Sequence, residues 1–123
     1  MQAIQEVQKV FSEANVDTEV IQLGNKPIRD CIQCGYCFEH GDCVFKDDDV
    51  NAFVEKAKDA DGFIFATPVY YAHPSGRILS FLDRVFYSAE SVTPNPFAFK
   101  PGASIAVARR GGTTASFDVL NKY

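Results

Sequence analysis

Residues Gly62 to Ala72 (GFIFATPVYYA) constrain the fold more than any other stretch of the chain. Phe63, Ile64 and Phe65 make a short continuous apolar run after Asp61-Gly62, the pattern of a parallel strand covered by helices on both faces. Such a strand belongs in the middle of a sheet. Thr67-Pro68 is expected to stop it, because proline has no N–H for the ladder, leaving Val69-Tyr70-Tyr71 as a loop at the strand's carboxyl end. Ligands of open α/β sheets bind at that end. Two adjacent aromatics on such a loop either cover something flat or close over the protein's own core.

The flanking segments supply the rest of an α/β pattern. Ala3, Val7, Val10, Phe11 and Ala14 fall at helical spacing, with Asn15 suited to the position just past the end. Thr18 to Leu23 is short and β-branched and predicts a strand, ended by Gly24-Asn25-Lys26-Pro27. Residues 31–43 (CIQCGYCFEHGDC) have no usable period and are expected to form a loop insertion. Asp47-Asp48-Asp49 is expected to cap and complement the dipole of a helix with Val50, Phe53, Val54 and Ala57 on its apolar face. The run lacks the spaced oxygen ligands of a calcium loop. A further helix follows Pro74-Ser75-Gly76, with Ile78, Leu79, Leu82, Val85 and Phe86 on one face. Ser91 to Gly102 holds three prolines and predicts an extended connection. Ala103 to Ala108 is a small-residue strand, Arg109-Arg110-Gly111-Gly112 turns at its carboxyl end, and Thr113-Thr114 can cap a helix through Leu120. Alternating helices and strands predict an α/β fold, a parallel sheet with helices on both faces. A chain of 123 residues suits one domain.

Composition narrows the function. With 46% hydrophobic and 23% charged residues the chain is not disordered. A net charge of −4 without a basic stripe speaks against a nucleic-acid partner. Its apolar runs are too short to cross a membrane, and MQAIQEVQKV carries charge where a signal peptide would be apolar, so a cytoplasmic location is expected.

All four cysteines lie between Cys31 and Cys43 with the spacing C-x2-C-x2-C-x5-C. That compactness suits a ligand set better than a disulfide framework. Three thiolates within one short loop and a fourth just beyond can wrap an iron-sulfur cluster. Zinc fits less well, since structural zinc sites use knuckles set farther apart. Unliganded buried or reactive thiols, zinc and a disulfide all stay open on spacing alone. A second constellation is the Arg109 to Gly112 turn. Its glycines permit close backbone approach to a ligand and its arginines could stabilise an anionic ring, although an ordinary solvated turn has the same composition. His40 and His73 are read as polar loop residues.

These residues resemble the flavodoxin-like NAD(P)H-dependent FMN reductases, and especially their iron-sulfur flavoprotein branch. The resemblance runs along the chain and rests on the four-cysteine motif, ATPVYYAHPSG, ILSFLDRVFYS and ARRGGTT. It implies that Thr67, Pro68, Val69, Tyr70 and Tyr71, with Arg109, Gly111 and Gly112, embrace the isoalloxazine ring of FMN. It likewise implies Cys31, Cys34, Cys37 and Cys43 as ligands of a 4Fe-4S cluster. The implied fold is a flavodoxin-like three-layer α/β/α domain over residues 1–123, with the cysteine-rich insertion at 31–43.

Family members open with a strand and a Ser/Thr/Gly-rich phosphate loop before the first helix, and close with a strand and helix after the position of Lys122-Tyr123. Neither has a counterpart here, so a partial domain is expected, from a truncated gene product or a fragment, with a gap between the strands at Thr18 and Phe63 and weak FMN binding. The implied activity is FMN-dependent oxidation of NAD(P)H, with electrons passed to a small-molecule or protein acceptor, in a homo-oligomer. No side chain is assigned as acid, base or nucleophile. The alternative is a metal-binding or thiol-based interaction module without turnover.

Overall fold

The computed structural model describes residues 2–123. Helix α1 (Gln2–Glu13) ends as its sequence predicts: Asn15 takes the left-handed conformation at φ 57°, and Val16 N–H donates to the Phe11 carbonyl. Asparagine tolerates that conformation better than most residues.

Thr18 to Leu23 is not a strand. Its β-branched residues favour an extended backbone, but it pairs into no ladder of the sheet, and a strand needs a partner as well as composition. The cysteine segment is also not all loop, since Tyr36–His40 forms a short helix, α2, entered and left through left-handed Gly35 and Gly41.

Helix α3 (Val50–Ala57) packs on helix α4 (Gly76–Ala89). The apolar stripes read from spacing meet as expected: Val50, Val54, Ile78, Phe81, Leu82, Val85 and Ala89 form the buried core. Phe53 joins it partly buried, its ring at 5.2 Å from that of Phe81 and tilted by 71°, an edge-to-face arrangement that suits the two quadrupoles.

The sheet has the order β2-β1-β3, where β1 is Phe63–Tyr70, β2 is His73–Pro74 and β3 is Gly102–Val107. The strands β1 and β3 are parallel, paired from Phe63 with Gly102 to Pro68 with Val107. Thr67-Pro68 does not end β1, which continues through Tyr70. Proline is tolerated there because the other edge of β1 is unpaired until Val69, so an N–H on that side is not required. Nor is β1 covered on both faces. Phe63 and Phe65 are partly buried toward α3 and α4, while Ile64 between them is exposed, the alternation of a strand packed on one side.

Helix α5 (Thr113–Leu120) follows β3, and Leu120 closes the core. Its N-cap residue is Gly112 rather than a threonine. Tyr123, just beyond, stacks on Phe86 with centroids 5.5 Å apart and donates its hydroxyl to Asp83 Oδ1 at 2.5 Å. Burial, then the hydrogen bond and charge of Asp83, hold this phenol well above its ordinary range. The folded protein therefore keeps the proton more tightly than the unfolded chain does. That stability is fully present below about pH 10, the ordinary tyrosine value, and is lost as pH rises toward the folded value. Chemical denaturation measured against pH should show a falling limb above about pH 10 that Tyr123→Phe flattens. An unchanged limb in the variant would assign it to another group.

Candidate functional site

Two turns meet at the carboxyl ends of the parallel strands. The first joins β1 to β2 through Tyr71 and Ala72 alone, both at positive φ (48° and 63°). A two-residue hairpin loop needs that geometry, usually from Asn-Gly, so a tyrosine and an alanine hold it under strain. Strain of this kind concentrates at ligand clamps. Tyr71 stands fully exposed and Tyr70 is 65% exposed, so neither closes over the core.

Thr67 is the buried member of the stretch. Its hydroxyl donates to the Pro68 carbonyl at 3.0 Å and accepts from the Ser75 N–H at 3.2 Å, tying the end of β1 to the start of α4. Pro68 is exposed and Val69 half-buried.

The second turn is Arg109 to Gly112. Arg109, Arg110 and Gly111 are exposed, and Gly112 sits at φ 96° directly against the first turn. A Cβ placed on Gly112 would lie 2.4 Å from Ala72 Cα and 2.8 Å from its carbonyl oxygen. Two backbones approach here as only a glycine permits.

The stretches on either side of the cysteine segment are laced along one flank of α4. Arg77 donates to the carbonyls of Gly24, Asn25 and Lys26 at 2.6–3.3 Å. One turn on, Ser80 bonds Asp30. One further turn on, Arg84 reaches the segments around Arg29 and from Cys43 to Asp48. This polar flank, spaced i, i+3 and i+7, lies beside the apolar one that faces the core.

Cys31, Cys34, Cys37 and Cys43 line one pocket with Phe45, Arg84 and Tyr87. Cys31 and Cys34 are exposed, Cys37 is buried in α2, and Cys43 is half-buried. Asn51 fixes the last of these, accepting from the Cys43 N–H at 2.8 Å and donating to its carbonyl at 2.9 Å. Burial raises the Cys37 thiol above its ordinary range, a backbone hydrogen bond opposes this, and charge on Cys34, Cys43 and Cys31 raises it further.

The thiols converge on one pocket but not on one point: among the described residues no three of His, Cys, Asp or Glu are grouped to hold a single metal ion. A zinc ion needs four sulfurs at about 2.3 Å, whereas a cluster spreads its four thiolates around a larger body. Four soft donors, no carboxylate and one buried cation in the wall fit an anionic iron-sulfur group.

The acid run serves this pocket as well as the helix start, where Asp48 Oδ1 accepts from the Val50 N–H at 3.2 Å. Asp49, the N-cap residue of α3, makes no side-chain cap bond. Asp48 also binds Arg84 through both carboxylate oxygens, and Asp47 pairs with Arg29 at 2.9 Å. Arg84 and Asp48 were not foreseeable as a pair; the only trace is that Arg77, Ser80 and Arg84 interrupt an apolar helix at one-face spacing. His40 stacks on Tyr36 at 3.8 Å, and His73 lies in β2.

The chain matches the family described as NADPH-dependent FMN reductase over residues 1–123. It belongs to that family. The flavodoxin-like α/β fold of this FMN reductase relative accounts for the open sheet with its two turns at the strand ends. It is 30% identical to an iron-sulfur flavoprotein of Methanocaldococcus jannaschii over 98% of this chain and 61% of that protein. It is 32% identical to one of Methanosarcina thermophila over 94% of this chain and 60% of the other. An iron-sulfur flavoprotein of Archaeoglobus fulgidus shares 37% identity over 64% of this chain and 40% of its own. The chain thus spans between 40% and 61% of the length of these relatives. No solved structure matches it. Among the described residues no helix is long and apolar enough to cross a membrane.

Proposed function

We propose that this chain is the flavin-holding and cluster-holding part of an electron-transferring FMN oxidoreductase that takes hydride from NAD(P)H. The observation that carries the reading is the contact between Gly112 and the strained Tyr71-Ala72 turn, which sets two exposed tyrosines beside Arg109 and Gly111 at the carboxyl ends of paired parallel strands. When bound, FMN supplies the conversion between hydride and single-electron transfer. The protein's own part is to stack Tyr70 or Tyr71 on the ring, to bring backbone N–H groups of the glycine turn near it, and to place the Arg109 guanidinium where negative charge grows.

The four thiols would hold a 4Fe-4S cluster, which supplies single-electron steps. Both sites lie along α4. From Ser75 to Arg84 the helix rises roughly 14 Å at about 1.5 Å per residue, so one rigid element sets their separation. Cys31 and Cys34, at the surface, mark the side from which a small-molecule or protein acceptor would take electrons. The relatives' names support flavin and cluster together.

The test is a titration with FMN after anaerobic purification. Tyr70→Ala and Tyr71→Ala should weaken binding by about 1–3 kcal/mol, roughly 5- to 150-fold in Kd, while leaving the melting temperature of the flavin-free protein unchanged. Equal melting losses with and without flavin would overturn the site. A protein that ignores FMN yet binds metal through its thiols would be the interaction module instead.

A further inference from the structure

Arg84 is only 1% exposed, yet it is more than a salt-bridge partner. Its terminal nitrogens are taken by Asp48, with weaker contacts to the carbonyls of Arg29 at 3.3 Å and Phe45 at 3.5 Å, and its guanidinium lies over the Phe45 ring at 5.0 Å. Those partners satisfy and fix the cation. They leave Nε, which donates to Cys43 Sγ at 3.3 Å. A neutral thiol is a poor acceptor, so a buried, otherwise satisfied cation aimed at one makes only a weak bond. A thiolate carrying part of an anionic group accepts far more strongly. Arg84 is also the only charged side chain among the described residues that line the pocket of four thiols.

We propose that Arg84 is the positioning residue of the cysteine pocket: held by Asp48, it directs Nε–H at Cys43 Sγ and raises the reduction potential of the cluster that the four thiolates bind. The assignment rests on the cluster reading above. Reduction adds negative charge to a group that already carries it, and a fixed positive charge with an N–H donor on a ligand sulfur favours the reduced form. Asp48 lies at the far end of the same guanidinium, so it orients the cation without facing Cys43.

Removing Arg84 alone would strand a buried carboxylate, so the informative variants are Arg84→Lys and the double variant Asp48→Asn with Arg84→Met. The asparagine can still accept from the Val50 N–H, as Asp48 Oδ1 does at 3.2 Å. Each protein is reconstituted anaerobically with iron and sulfide, assayed for both, checked by circular dichroism, and titrated potentiometrically. The expected result is equal cluster content with a more negative midpoint in the double variant. At the wild-type midpoint its reduced-to-oxidised ratio should fall about tenfold, 59 mV for a one-electron couple, with Arg84→Lys in between. A folded double variant that fails to retain the cluster while Arg84→Lys retains it also supports the assignment. Equal content with equal midpoints overturns it and leaves Arg84 a packing residue. A wild type that takes up neither iron nor sulfide overturns the cluster reading, and this assignment with it.

Discussion

Asp48→Ala is expected to destabilise the protein by about 3–5 kcal/mol, the cost of leaving a buried charge without its partner. The Arg84 guanidinium is 1% exposed and the Asp48 side chain 10%, so neither end of the pair has water to fall back on. Burial works against the charge on Arg84 but its hydrogen bonds to Asp48 and Cys43 prevail, and because a guanidinium keeps its proton in a protein, loss of the carboxylate leaves a charge behind. The carbonyls of Arg29 and Phe45 are too few and too distant to replace it. For a chain of this size the melting midpoint should drop by roughly 10–20 °C. The exposed pair of Arg29 with Asp47 gives the internal comparison, since Asp47→Ala should cost at most about 1 kcal/mol. The double variant Asp48→Asn with Arg84→Met should recover most of the loss, because a buried pair exchanged for uncharged groups of similar size is often neutral. Equal melting losses for Asp48→Ala and Asp47→Ala would show that the buried pair carries no special weight.

The second large effect belongs to Gly112. Gly112→Ala places a Cβ against the backbone of Ala72 at 2.4 Å and asks an alanine to adopt φ 96°. The conformation alone costs about 1–3 kcal/mol, and the overlap adds about as much again unless the Tyr71-Ala72 turn moves. That turn is the softer partner, being already strained and exposed, so it gives way. Tyr71 then shifts with it, and FMN affinity should fall at least about tenfold, about 1.4 kcal/mol. Gly111 is the control one residue away: nothing lies within 4 Å of the position its Cβ would take. Gly111→Ala should leave stability within about 0.5 kcal/mol of wild type. Were both variants to bind FMN equally well, the contact between the two turns would have no part in the site.

Much of this architecture could be read from spacing. Val50, Val54 and Ala57, and Ile78, Leu82 and Val85, recur at the helical period, so their helices and buried faces follow from local sequence. The same holds for the two parallel strands, the placing of Tyr70 and Tyr71 at the carboxyl end of β1 and the compactness of the cysteine motif. Structure departs from local pattern where a neighbour decides. Thr18 to Leu23 has a strand's composition, but a ladder requires a second chain segment, and composition does not report one. Pro68 breaks a strand only where its missing N–H is needed, which depends on the unpaired edge of β1. The hairpin at Tyr71-Ala72 carries neither Asn nor Gly to announce it, because tertiary packing against Gly112 holds a turn that local preference opposes. The bond from the Val50 N–H to Asp48 at the start of α3 is local and legible in the acid run, whereas the ion pair is not. The partner of Asp48, Arg84, lies 36 residues away, and the cysteine that shares that arginine lies 41 residues from it. Periodicity records what each residue needs from its own turn of helix or strand; which cation reaches which sulfur is set by how the helices pack, and that is a property of the assembled chain.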